Sequence, residues 1–135
     1  MKKLMIFIIL LVSANLQAEW SYVGKTVDGE TTTYVDYQSI HKKGSKAKIW
    51  ALFDYKTVDN INNVIDGKPY LSMVRHAEFD CINETLRMLD YYAYSGNMKI
   101  GRVVNYESNT KYEAISIVPG SLDDVTFNII CNKKK

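Results

Sequence analysis

The sequence predicts an α+β domain: an antiparallel β-sheet with a C-terminal helix packed on one face and one disulfide joining the two. Three observations carry this. Along Leu71 to Cys81, Leu71, Met73, Ala77, Phe79 and Cys81 alternate with polar residues, so an extended chain turns them toward one layer. Leu122, Val125 and Ile129 repeat at helical spacing behind Pro119-Gly120-Ser121. The only two cysteines, Cys81 and Cys131, fall on that strand face and at the end of that tail.

The elements follow in order. Glu19 to Gly24 is a short extended start, with Trp20 and Tyr22 on one face, and Asp28-Gly29 is a turn signal. Thr31 to Asp36 is dense in β-branched and aromatic residues and reads as strand. A single turn at Asp36 to Ile40 and a polar connection at Lys42 to Ser45 follow. Lys46 to Tyr55 is the clearest strand, with Ala47, Ile49, Ala51, Phe53 and Tyr55 on one face and Lys48, Trp50, Leu52 and Asp54 on the other. Its middle is apolar on both sides, which places it centrally. Asp59 to Lys68 reads as the longest loop. Thr85 to Tyr94, Met98 to Tyr106 and Tyr112 to Val118 are further extended segments, separated by Ser95-Gly96-Asn97 and Glu107 to Lys111. Ser121 and Asp124 have the spacing of a capping box, which favours a helix over the rival strand that Val125, Phe127, Ile129 and Cys131 would also allow.

The first 18 residues read as an export signal. Lys2 and Lys3 precede an apolar run from Leu4 to Val12 that is shorter than the roughly 20 residues a membrane-spanning helix needs. Ala18 suits the position before a signal-peptidase cut, so the mature chain is expected to begin at Glu19 as a single domain covering residues 19–135, with a signal-anchor as the rival reading. No cysteine stands at the cut for acylation, so a lipoprotein anchor is not expected; the location would be the periplasm or the cell surface, with no membrane span after cleavage. In an exported chain two cysteines read as a disulfide. Closing a loop of about 50 residues would constrain the unfolded chain by roughly 4 kcal/mol.

Removing Lys2 and Lys3 from the 17 basic residues leaves 15 against 15 acidic ones, and Lys133 to Lys135 form the tail. The body therefore has no excess of positive charge with which to neutralise phosphates, and nucleic acid is not an expected partner. Nothing points to catalysis: the serines lack a nucleophile-elbow setting, and no glycine-rich phosphate loop occurs. His76, Glu78 and Asp80 share a strand face and could hold a cation weakly, but three polar residues on the solvent face of a sheet are the plainer reading. No metal or other cofactor is expected.

Ten tyrosines are the one compositional excess. Tyrosine suits protein interfaces, and it also suits strands, so both readings stand. In a strand Tyr92 and Tyr94 share one face beside the Gly96 turn while Tyr91 points the other way, which makes Tyr92 and Tyr94 the candidate protein-binding residues. Trp50 and Leu52, on the second face of their strand, would allow a homodimer if exposed.

Several spaced features together resemble the surface-adhesin protein E family of Gram-negative bacteria: Trp20, Tyr34-Val-Asp-Tyr-Gln-Ser-Ile40, Lys48-Ile-Trp-Ala-Leu-Phe-Asp54, Asp80-Cys81, Pro119-Gly-Ser121 and Cys131. Their order spans nearly the whole mature chain. The resemblance implies a sheet of about six antiparallel strands with a helix against it, bridged cysteines, no enzymatic activity, and binding to host extracellular-matrix or serum proteins. Two departures bear on it. The named adhesin is similar to a lipoprotein, whereas this chain has Ala18-Glu19, which favours as an alternative a periplasmic binding or inhibitor domain without a host role. The family also tends to carry a tryptophan ahead of Pro-Gly-Ser, while the two here are Trp20 and Trp50.

Overall fold

The computed structural model describes residues 19–58 and 63–132. The expected leader and the lysine tail lie outside them. Strand-forming patterns become one antiparallel sheet of seven strands: β1 (Ser21–Lys25), β2 (Thr31–Lys43), β3 (Lys46–Tyr55), β6 (Ser72–Asp80), β7 (Thr85–Tyr94) and β8 (Val103–Glu107) in that spatial order, with β9 (Ile115–Ser116) pairing the start of β7. A helix, α1 (Leu122–Ile130), packs on one face. The expectation of about six strands is thus met by a path of six and one short addition.

β3 is central, as its doubly apolar middle requires, with β2 on one side and β6 on the other. Ile49 faces Ala77, Ala47 faces Phe79 and Ala51 faces Val35 through β2, and these join Leu86, Phe127 and Ile130 in the core beneath α1. Small alanines on the middle strands leave room for the two rings, Phe79 and Phe127, whose centroids lie 6.4 Å apart. At the sheet's edge Gly24 admits α1 closely: a Cβ there would stand 2.8 Å from Leu122 Cδ2.

Two expectations are refined. The stretch Asp36 to Ile40 is a turn only in the sense that it bulges: β2 continues through it, but the pairing jumps from Asp36 opposite Trp50 to His41 opposite Lys48. Three bonds fix the bulge. Gln38 N–H donates to Asp36 Oδ1, Ser39 Oγ donates to Asp36 O, and Trp50 N–H donates to Ser39 Oγ. The segment read as a long loop contains a small hairpin, β4 (Val64–Ile65) and β5 (Lys68–Pro69), whose turn is Asp66-Gly67 with both residues at positive φ.

The C-terminal tail is helical. Ser121 Oγ accepts from Asp124 N–H at 3.1 Å, while the Asp124 carboxylate takes the Gly120 N–H at 2.9 Å, one residue earlier than a capping box would. The buried stripe differs from the Leu122, Val125, Ile129 repeat: Val125 and Ile129 are exposed, and Phe127, Ile130 and Thr126 face the sheet. The tether explains the rotation, because Phe127 and Cys131 lie one turn apart and Cys131 is bonded to Cys81 just beyond the end of β6. On the same face the Arg75 guanidinium donates to Asp123 Oδ1 at 2.7 Å and lies 4.7 Å over the Phe53 ring, tying the first turn of α1 to β6.

Candidate functional site

Because side chains alternate along each strand, those that do not point to the α1 side stand on the opposite face of the sheet. Register brings four aromatic rings into a row there. Trp50 on β3 pairs with His76 on β6, and their rings stack at 4.6 Å and 6°. Tyr92 on β7 lies 6.3 Å from Trp50 and stacks on Tyr106 of β8 at 5.9 Å and 10°. At the other edge Tyr22 and Tyr34 meet edge to face at 6.1 Å. Such geometries are the preferred ones for π systems and hold the rings in fixed orientation.

A polar frame fixes the row. Asp90 accepts from Asn109 N–H on one oxygen and holds His76 Nδ1 at 3.1 Å with the other, so His76 is clamped between a carboxylate and the Trp50 ring. Tyr92 Oη and Ser108 Oγ share a hydrogen bond at 3.2 Å. The loop after β8 is anchored in turn, since Thr110 N–H and Oγ1 donate to the carbonyls of Leu89 and Met88 at a bulge in β7.

Within this face lies a cavity of about 360 Å³, lined by Trp20, Asp36, Trp50, Val74, Tyr92, Tyr94 and Lys99. Lys99 reaches it from a single 3-10 turn, Asn97–Lys99, in which Met98 and Lys99 both adopt positive φ. That conformation is disfavoured for side-chain-bearing residues and is held here from below. Asp54 Oδ1 accepts from Met98 N–H at 2.7 Å, and the buried Ser72 Oγ accepts from Lys99 N–H at 2.9 Å while donating to Gly96 O. Burial raises the Tyr94 phenol above its usual range, with the nearby Tyr92 adding to it, so Tyr94 meets a ligand as a neutral hydroxyl.

The two tyrosines singled out from the sequence, Tyr92 and Tyr94, therefore share this face and this cavity, and Tyr91 points away, its hydroxyl donating to Asn105 Oδ1. Sequence reasoning missed Trp20, Asp36 and Lys99 as their neighbours. His76 is not on a plain solvent face but half-buried under Trp50, and Glu78 and Asp80 do not join it: Asp80 instead caps the turn that follows, accepting from Ile82 and Asn83 N–H. Those turn bonds also lower the Asp80 carboxyl below the ordinary range, the Asn83 N–H foremost. Among the described residues no group of three or more His, Cys, Asp or Glu is placed to hold a metal ion. The apolar patch expected at Trp50 and Leu52 is also corrected, since Leu52 is fully buried and only Trp50 reaches the surface.

The family model of the surface-adhesin protein E matches residues 20–132. The chain belongs to the surface-adhesin protein E family. In structure it is similar to Haemophilus influenzae protein E, at 15% identity and a TM-score of 0.56, covering 86% of this chain and 89% of that one. Protein E from non-typeable Haemophilus influenzae matches at 17% identity and a TM-score of 0.56, over 88% of this chain and 79% of that one. At such identity these two establish the shared fold. No curated protein sequence matches. Family membership makes this an adhesin-like binding domain, and no helix among the described residues is long and apolar enough to cross a membrane.

Proposed function

We propose that the chain is an exported, non-enzymatic adhesin module that binds host extracellular-matrix or serum proteins through the face opposite α1, with Tyr92 and Tyr94 at the contact. The observation that carries this is the row of stacked rings on a sheet face that the helix leaves open, in a family of surface adhesins. Rigid aromatic side chains lose little conformational entropy on binding and are the residues on which interface energy concentrates. A periplasmic binding or inhibitor domain is the second reading, favoured by the absence of an acylable cysteine at Ala18-Glu19.

The test is direct binding of the disulfide-bonded protein to immobilised matrix and serum proteins. Changing Tyr92 and Tyr94 together to alanine should weaken binding by about 30-fold or more, as truncating a central interface aromatic costs about 2 kcal/mol. Unaltered binding by a folded double variant rejects this surface. Protease digestion of the protein on intact cells separates the two readings: cleavage supports the host-facing module, and protection until the outer membrane is opened supports the periplasmic one.

A further inference from the structure

We propose that the cavity formed by Trp20, Trp50, Tyr92, Tyr94, Asp36 and Lys99 is a carbohydrate subsite that takes a neutral sugar ring or disaccharide. The proposal deepens the reading of this face as the binding surface and rests on it only for the accessibility of the face. Its volume of about 360 Å³ lies at the small end of ligand pockets, which run about 300–1,000 Å³. It admits a small molecule or the tip of a chain and excludes a folded element.

The lining selects among small ligands. Asp36 can only accept hydrogen bonds and Lys99 can only donate them. An organic cation would meet Lys99, and an anion would meet Asp36. A purely apolar group would strip water from both charges and pair neither. A neutral sugar offers hydroxyls that donate and accept, so it satisfies both charged groups without bringing a charge of its own. The C–H face of its ring suits the negative π face of an indole or phenol. Each polar group has capacity left for this. Gln38 N–H occupies Asp36 Oδ1, and among the described residues the other oxygen makes no hydrogen bond and the Lys99 ammonium no ion pair.

The Asp36 carboxylate and the backbone that carries Lys99 are also held in place before any ligand arrives. Asp36 sits at the root of the β2 bulge that its own carboxylate and carbonyl brace. Lys99 sits in the positive-φ turn that Asp54 and Ser72 clamp. Preorganisation of this kind lowers the entropic cost of binding, and disfavoured backbone conformations concentrate at ligand sites.

The experiment titrates the disulfide-bonded protein with methyl glycosides of glucose, galactose, mannose and N-acetylglucosamine and with lactose, alongside choline and inorganic phosphate. The readouts are the fluorescence of Trp20 and Trp50 and saturation-transfer NMR of each probe. We expect a saturable, millimolar response to at least one sugar. It should weaken by about tenfold in Asp36→Asn, which keeps the acceptor for Gln38 N–H but loses the charge that strengthens a hydrogen bond, and in Trp20→Ala, each with unchanged thermal unfolding. No response to any sugar, a response confined to choline or phosphate, or a sugar response that both variants leave intact overturns the proposal. No protein partner takes part, so the two readings of this face fail separately. Partner binding lost in the Tyr92/Tyr94 double variant without any sugar response rejects the subsite alone. A sugar response with partner binding unchanged in that variant rejects the protein-contact reading and upholds the subsite. Enzymatic deglycosylation of the immobilised matrix proteins then identifies the source: a fall in binding indicates host glycans, and no fall indicates free saccharide.

Discussion

Ser72 shows how much a single buried hydroxyl can position. Its Oγ donates to Gly96 O at 2.6 Å and accepts from Lys99 N–H at 2.9 Å, with no part of the residue exposed. Changing Ser72 to alanine leaves the part-buried Gly96 carbonyl and Lys99 amide without this partner, a loss of about 1–3 kcal/mol in all, and it frees the turn that presents Lys99. Urea unfolding should register a loss of that size, and a change within about 0.5 kcal/mol, as at an ordinary surface site, would refute this role. Tyr55 supplies a pH prediction. Burial first, then the charge and hydrogen bond of Tyr70, push its phenol well above the ordinary value, and burial raises Tyr70 as well. Because the folded protein holds these protons more tightly than the unfolded chain, their contribution is complete below the unfolded value of about 10 and is lost as pH rises beyond it. Stability should therefore fall above about pH 10, and Tyr55→Phe should flatten that fall. Denaturant unfolding across this window checks it; an identical pH slope in the variant would exclude Tyr55 as the cause. None of this could be read in the sequence, where Ser72 is one of several serines and nothing marks Tyr55 and Tyr70 as facing rings.

Among the elements, β3 and β6 were legible because both alternate cleanly, and the pairing of Cys81 with Cys131 followed from the cysteine count and the expected export. The disulfide joins the end of the sheet to the C-terminus of α1 and closes a separation of 50 residues. Replacing both cysteines by serine should cost about 2–5 kcal/mol. Thiol labelling of denatured, unreduced protein should find none free, and two free thiols would end the argument. Ser121→Ala, removing the cap of α1, should cost about 1 kcal/mol. The helix face was not legible. Leu122, Val125 and Ile129 form the better apolar repeat, yet the covalent bond at Cys131 and the size of Phe127 turn the helix so that Val125 and Ile129 look outward. Bulges hid the rest. The one in β2 reads in sequence as a broken strand, because residues that leave the ladder take up turn-type bonds with their own neighbours.

At the scale of the molecule, the deciding arrangement is one helix on a sheet with two apolar faces. The sequence placed Tyr92 with Tyr94 and set Trp50 on the second face of its strand by simple alternation. Which strand lies beside which, and in what register, depends on distant turns and bulges, and so the row Trp50, His76, Tyr92, Tyr106 emerges only in the fold. The chain expected after removal of residues 1–18 has balanced charge, 15 basic and 15 acidic residues. On the open face too the signs alternate, Lys48 beside Glu78 and Asp36 sharing a cavity with Lys99. Affinity resting on aromatic contact should then respond weakly to salt. Between about 0.01 M and 0.15 M ionic strength the screening length falls from about 30 Å to about 8 Å, which weakens charge-driven contacts and leaves ring contacts nearly unchanged. Binding to immobilised matrix or serum proteins should change by less than about threefold over that range, since no exposed ion pair worth more than about 1 kcal/mol is being screened. A steep loss with salt, joined to unaltered binding of the Tyr92/Tyr94 double variant, would move the contact to the β2–β3 hairpin end, where Lys42, Lys43 and Lys46 stand exposed together, or to the lysines at 133–135.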